Sequence, residues 1–461
     1  MGHAALQAQD YSSAVTKVLD FNNTNPEFFP SAQAPHRTDV TQVGNDLWFL
    51  TESGGVYGVG GVFKYNLTSG DLTMVSSLGG FTGGMEGWES GSDPRGSILN
   101  FGDGYGYFSN FDRGINDTGA ISRVNFSTGV VEDIFYFDPA PGVATGRQPG
   151  NTPTYVKVGN ENRLYFTAGS GGSNYLYNTT PSATNNNGGT IGMLSWQDGD
   201  DATNATFTLV KEWGSPAKGV DNDGSQPFAG GVIVGNYYYT TTFTGGGNYG
   251  TGMSNGTGVL ARVNIQTHEY EMLVNFDPND SENPTLFGGT TPVYDESANA
   301  LYFTTTGSAN VPGGIQKYDL DTGTMSNVFA FTVGEYDELG RNPYGDLTLF
   351  EDKLYFMTLS GGEHGGGVIG MFDLSTDTYI TLYDLETGTG SFGGGTRGGF
   401  SIVLEEDGLE YLYGLLTRGG QHNHGAMIRI DPRMDMIPEG SVALLLLVAG
   451  GFLSGSRRRQ A

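Results

Sequence analysis

The chain has 461 residues with 76 Gly, 25 Tyr, 27 Phe and no Cys, and its formal net charge is -28 at pH 7. That charge excludes a nucleic-acid partner, because phosphate binding draws its affinity from clustered Lys and Arg. Without cysteine there is no disulfide framework, thiolate zinc site or cysteine nucleophile, and aromatic residues broken by so many glycines point to an all-β chain.

In chain order, residues 1–13, MGHAALQAQDYSS, lack a basic region followed by an apolar run, so no secretory leader is visible; the expectation is either a true start upstream or a trimmed leader, with AALQAQ as the small-residue end of its cleavage region. From residue 14 the chain repeats. Seven segments share an aromatic core running into a small or polar tail: DLWFLT, YGYFSN, RLYFTA, YYYTTT, ALYFTT, KLYFMT and YLYGLL. Their third residues are Trp48, Tyr107, Tyr165, Tyr239, Tyr302, Tyr355 and Tyr413, spaced 53–74 residues apart, a period that fits propeller blades rather than helical repeats. The bland role for this series is packing between blades.

A short strand precedes each aromatic segment, as in RTDVTQV, GSILNF and GDLTLF. A glycine-rich loop and an alternating segment follow, as in GVFKYNL, AISRVNF and VIGMFDL, and most of these end in a tight turn such as STG or DTG. Another strand then returns (LTMVSSL, VVEDIFYF, FTLVKEW, YEMLVNF, MSNVFAF, YITLYDL), but only six such strands follow the seven hairpins. The seventh lies at the other end of the chain, where AVTKVLDF (14–21) has the same apolar spacing. The pattern predicts a seven-bladed β-propeller over residues 14–433, closed by the N-terminal strand so that no sheet edge is left open.

Residues 434–461 break the pattern: Pro438-Glu439, an apolar stretch predicted as a short helix over 442–453, then Arg457, Arg458 and Arg459. Twelve helical residues rise about 18 Å, well short of a ~30 Å hydrocarbon core, so the segment is a marginal span. The arginines would hold its end on the cytoplasmic side.

Once the units are aligned, the repeat, clearest in NPYGDLTLFEDKLYFMTLSGGEHGGGVIGMFDLSTDTYITLYDL (342–385), resembles the GloVer tandem repeat of bacterial surface proteins. That resemblance implies a propeller-like fold and brings no assigned reaction. The tail resembles the PEP-CTERM sorting signal of Gram-negative bacteria, with Pro-Glu-Gly here in place of Pro-Glu-Pro. It implies export, a transient membrane hold through the tail, and an exosortase-type partner that releases or transfers the body to the cell surface or matrix.

Candidate binding residues come from the loops that lead into each blade. Polar residues before proline, Asp93, Gln148, Gln226, Asn283 and Asn342, would ring the mouth of the central channel and bind a sugar or a cation. The same residue types also close Asx-type turns, with proline setting the approach to the inner strand. Acidic loops such as DNDG, with Asp221 and Asp223, carry oxygen ligands at alternate positions that suit calcium, though none matches the twelve-residue calcium loop. His364, His422 and His424 fall in corresponding loops of adjacent units and would form a transition-metal site if their nitrogens converged. No nucleophile elbow, phosphate loop or zinc signature is present, and no carboxylate pair stands out for glycoside hydrolysis. The expectation is an exported envelope or matrix module that binds extracellular polysaccharide, more a binding protein than an enzyme. The alternative is a carbohydrate-active hydrolase or lyase using the same loop face.

Overall fold

The computed structural model describes residues 11–21, 32–33, 35, 37–79, 91–114, 118–138, 145–172, 188–213, 223–246, 256–279, 288–307, 313–331, 338–395 and 397–433. They form seven antiparallel sheets, six of four strands and one of five, with two small two-stranded sheets beside them. Blade 1 runs Thr41–Val43, Asp46–Thr51, Gly61–Asn66, Leu72–Ser77, and blade 2 runs Gly91–Leu99, Tyr105–Arg113, Ala120–Asn125, Val131–Tyr136. In blade 3 the first strand is split into Arg147–Pro149 and Thr154–Val158, followed by Glu161–Ser170, Thr190–Gln197 and Thr206–Glu212. Blades 4, 5 and 6 repeat the four-strand order from Gly231–Val234, Val293–Asp295 and Thr348–Phe350 respectively.

Blade 7 supplies Phe400–Leu404, Glu410–Leu416 and Ala426–Ile430, and its outermost strand is Val15–Asp20 from the start of the chain, antiparallel to Ala426–Ile430 with Val15 opposite Ile430 and Asp20 opposite Ala426. The closure expected from AVTKVLDF is therefore observed.

Three devices recur in all seven blades. First, a glycine opens the third strand: Gly60, Gly119, Gly189, Gly258, Gly313, Gly367 and Gly425. A Cβ at any of them would lie 2.0–2.5 Å from a backbone carbonyl oxygen in the second strand or just past its end, and all but Gly313 have φ between +87° and +104°. No other residue fits there without strain. Second, that glycine's carbonyl accepts the N–H of the residue just after the outermost strand, namely Leu78, Phe137, Trp213, Phe276, Phe331, Leu385 and, in blade 7, Phe21, at 2.9–3.3 Å. Those seven side chains are at most 1% exposed. Third, the outermost strand carries a β-bulge against the third strand in every blade, at Val62/Phe63, Ile121/Ser122, Ile191/Gly192, Leu260/Ala261, Ile315/Gln316, Ile369/Gly370 and Lys17/Leu19. The bulge sharpens the twist of the outer edge. Val15–Asp20 and Phe21 share all the outer-strand features, so the N-terminal strand is a true blade element.

The core is divided in the same way. Seven clusters of buried side chains lie one between each pair of neighbouring blades, and the cluster between blades 7 and 1 joins Tyr411, Tyr413 and Met427 to Leu47, Phe49 and Phe63. The aromatic series Trp48 to Tyr413 is buried throughout, as expected for packing between blades. Each fully buried aromatic or aliphatic side chain contributes roughly 1.5–3 kcal/mol. Among the described residues the only helices are three-residue turns at Ser12–Ala14 and Ala202–Asn204, and no helix is long and apolar enough to cross a membrane. The predicted tail helix and its flanks, Pro438, Glu439, Arg457, Arg458 and Arg459, lie outside the described residues.

Candidate functional site

The first strands converge on the axis, where their opening residues link one blade to the next. The Asp39 N–H donates to Ser97 Oγ at 2.8 Å, Ser97 N–H to Thr152 Oγ1 at 2.6 Å, Gly230 N–H to Thr291 Oγ1 at 3.2 Å, Thr291 N–H to Asp346 Oδ1 at 2.7 Å, and Gly399 N–H to Asp39 Oδ1 at 2.7 Å. The ring position is thus Asp39, Ser97, Thr152, Gly230, Thr291, Asp346 and Gly399 in blades 1–7. Its side-chain link is missing only onto Gly230 and Gly399, which have no oxygen to offer. Beside Gly399, a Cβ on Gly398 would meet the Thr38 carbonyl at 2.7 Å and Asp39 Oδ1 at 3.0 Å, so blade 7 lets Asp39 and Asp346 approach by contributing only backbone.

Two residues earlier in each blade sits a second tier: Arg37, Arg95, Gly150, Phe228, Gly289, Tyr344 and Arg397. Six of these, with Gly96, Asn151, Thr152, Ala229, Thr291 and Asp346, line one shallow depression. Every blade contributes, which places it on the axis. It measures ≈ 250 Å³ with its solvent-open part included and offers water only ≈ 10 Å³, room for about one molecule. Arg37 explains the small space: it reaches from blade 1 across the mouth, its Nη1 donating to the Phe228 carbonyl of blade 4 at 2.8 Å, with the guanidinium carbon 5.8 Å from the Phe228 ring. Arg397 lies 5.3 Å from the Tyr344 ring centroid, while Arg95 stacks 3.5 Å over Phe111 and pairs with Glu52 at 2.9 Å. Arginines thus occupy the side formed by blades 7, 1 and 2. Aromatic rings come from blades 4 and 6, and glycines leave gaps at blades 3 and 5.

The site's charges are perturbed by their crowding. Burial pushes the Asp39 carboxyl up to about 7, and the nearby Asp346 carboxylate adds to the shift. Asp346 is raised by burial as well, opposed by its hydrogen bonds from Thr291 and by Arg37. Burial lowers Arg37 to about 10, with Asp346 opposing and Arg397 and Arg95 assisting. Asn151, 4% exposed, donates through Nδ2 to Thr167, whose hydroxyl donates onward to the Ala229 carbonyl at 2.7 Å. The Thr167 hydroxyl can therefore only accept from Asn151, which fixes the amide orientation, and Asn151 Oδ1 has no partner among the described residues.

Of the residues before proline, Asp93, Gln148, Gln226 and Asn342 do not line this depression. Asp93, Gln148, Gln226 and Asn342 sit four positions before the ring, each with φ between +50° and +60°. The backbone N–H groups of Asp93, Gln148 and Gln226 bond the preceding blade, to the carbonyls of Val59, Thr118 and Gly188 at 2.9–3.0 Å. Three of the side chains serve their own blade: Gln148 Oε1 accepts from Ser170 at 2.9 Å, Gln226 Oε1 from Thr244 at 2.9 Å, and Asn342 Nδ2 donates to Ser360 at 3.1 Å. The prolines that follow, Pro94, Pro149 and Pro227, pack against the spaces kept open by Gly60, Gly119 and Gly189. Their role is to join blades, and the mouth lies two to four residues downstream. Asn283 and Asp221 lie outside the described residues. Asp223 forms an ion pair with Lys211. His364 lies near Asp384, and His424 is lowered by burial and by His422. Among the described residues no three His, Asp or Glu side chains form a group that could hold a metal ion.

No family model and no curated protein matches the sequence. Solved structures of similar shape include an oligogalacturonate lyase in complex with manganese (13% identity, TM-score 0.49, covering 95% of this chain and 96% of that one). A europium-containing methanol dehydrogenase is similar at 12% identity and TM-score 0.49, covering 89% and 87%. TolB from Acinetobacter baumannii is similar at 10% identity and TM-score 0.35, covering 85% and 78%.

Proposed function

We propose that this propeller is a binding module that takes carbohydrate at its axial mouth. The observation that supports it is the meeting of one loop from every blade at a shallow depression where guanidinium donors, aromatic rings and an unpartnered amide oxygen lie side by side. A few convergent polar groups beside aromatic surface suit polyhydroxylated ligands, and so slight a depression fits the end of a chain or a surface contact better than an enclosed reaction. The sequence of the tail supports placing the module outside the cell, delivered by an exosortase-type enzyme after a transient membrane hold. Glycan-array binding of the full chain, with and without calcium, tests the reading. It predicts saturable binding to a defined set of polysaccharides, and an array without signal in either condition would contradict it.

The alternative, a hydrolase or lyase at the same mouth, draws on the nearness of two carboxyls, Asp39 and Asp346, both raised by burial, of which Asp346 lines the depression. Against it, Asp39 Oδ1 and Asp346 Oδ1 are already used in the ring. Reducing-end release from a bound polysaccharide by the wild type, lost in Asp346→Asn, would decide for the enzyme.

A further inference from the structure

Among the described residues Arg37 makes one hydrogen bond, to the Phe228 carbonyl, and no ion pair within 4.0 Å. A guanidinium offers five N–H donors in a planar fork that matches a carboxylate. Here it is held across the axis with Arg397 close enough to perturb it, in a chain whose formal charge is -28. Holding a crowded cation without a close counter-ion is costly unless something compensates it. Its neighbour Asp346 favours the charged guanidinium from a distance but forms no ion pair with it, and one of its carboxylate oxygens is held by the Thr291 N–H. A buried group of opposite kind lies beside it: Asn151 Oδ1, in a residue 4% exposed that lines the same depression, accepts nothing among the described residues. A ligand that satisfies both must carry an anionic acceptor and a hydroxyl donor a short distance apart.

We propose that the axial mouth is selective for acidic sugars, with the Arg37 guanidinium taking the ligand's carboxylate and Asn151 Oδ1 accepting one of its hydroxyls. This rests on the carbohydrate-binding reading above and narrows it to uronate-containing glycans. The chain's overall negative charge does not forbid it, because exposed charges are screened beyond about 8–10 Å at physiological salt while Arg37 acts at contact. Neutral sugars would leave Arg37 without a contact ion pair, and simple carboxylates would leave Asn151 unpaired.

The test is calorimetric titration of the full chain with short oligomers of glucuronate, mannuronate and galacturonate, each beside its carboxyl-reduced neutral counterpart at one ionic strength. At least one acidic oligomer should bind about tenfold or more tightly than its reduced form, the scale of a charge-assisted bidentate contact. Arg37→Gln should erase that preference, and Arg37→Lys, which keeps the charge but loses the fork, should retain only part of it; the lysine variant carries the test if the glutamine variant fails to fold. Equal affinity for acidic and reduced oligomers, or an unchanged preference in Arg37→Gln, overturns this inference while leaving carbohydrate binding intact. Acetate competing as well as the acidic oligomer also overturns it, reducing the mouth to a simple anion site. Failure of every acidic and neutral glycan removes the binding reading itself.

Discussion

At the scale of single residues, two kinds of position carry sharp consequences. The first is Asp39. Its folded pKa of about 7 lies above the ordinary 3.8, so the folded state holds this proton more tightly than the unfolded chain does. Stability from this group is therefore greatest below about pH 4 and falls as pH rises toward 7. Asp46, Asp201, Asp373 and Asp431 act in the opposite sense: their pKa values are lowered, so their contribution is lost only as pH drops below the usual carboxylate range. Asp39→Asn keeps an oxygen for the Gly399 N–H and removes the charge. Its melting temperature should exceed the wild type's at about pH 8, and its slope between about pH 4 and 7 should be flatter; an unchanged slope would contradict the assignment. The second kind is the glycine that opens each third strand. Gly367→Ala would put a Cβ 2.0 Å from the Thr358 carbonyl at φ +94°. The expected loss is roughly 2–4 kcal/mol in denaturant unfolding, the range of core and backbone lesions.

At the scale of elements, the hairpins between third and outermost strands show how local chemistry sets register. Asn66, Asn125, Asn264, Asp319 and Asp373 each end a third strand and accept two backbone N–H groups of the turn that follows, at 2.8–3.1 Å. The turn is thereby closed by the side chain before the outer strand returns. The first strands are joined by a different device, the axial ring. Thr291→Val keeps the shape and removes the acceptor for the Gly230 N–H, which should cost about 1 kcal/mol and leave blade 4 the most exchange-prone inner strand by amide hydrogen exchange. Protection equal to the wild type's would show that the ring contributes little.

At the scale of the whole molecule, the architecture was legible because its devices repeat. The aromatic second strands, the glycine before each third strand and the apolar outer-strand pattern, including Val18 and Phe21 near the N-terminus, recur at every blade and announce both the count and the closure. The mouth was not legible for the opposite reason. Its tier reads Arg, Arg, Gly, Phe, Gly, Tyr, Arg around the axis, so no repeat marks it, and the visible x-Pro motif drew attention to positions that join blades. Counting back two residues from the ring position would have found it, but that position shows itself only once the Asp39–Ser97 and Thr291–Asp346 links are seen. Closure makes a prediction of its own: deleting residues 1–21 removes the outer strand of blade 7 together with Phe21, and the shortened chain should lose its cooperative melt. A two-state melt at the wild-type temperature would mean that the ring closes without it.

Filling the axial mouth is the sharpest test of whether ligand binds there. Gly150 lines the depression, its φ is not left-handed, and a Cβ there would touch nothing nearer than Phe111 at 3.7 Å. The backbone therefore accepts a side chain at Gly150, and a cooperative melt checks that Gly150→Trp folds. Its binding to the glycans recognised by the wild type should fall below detection, whereas glycan binding at wild-type affinity by that folded variant would place the site elsewhere.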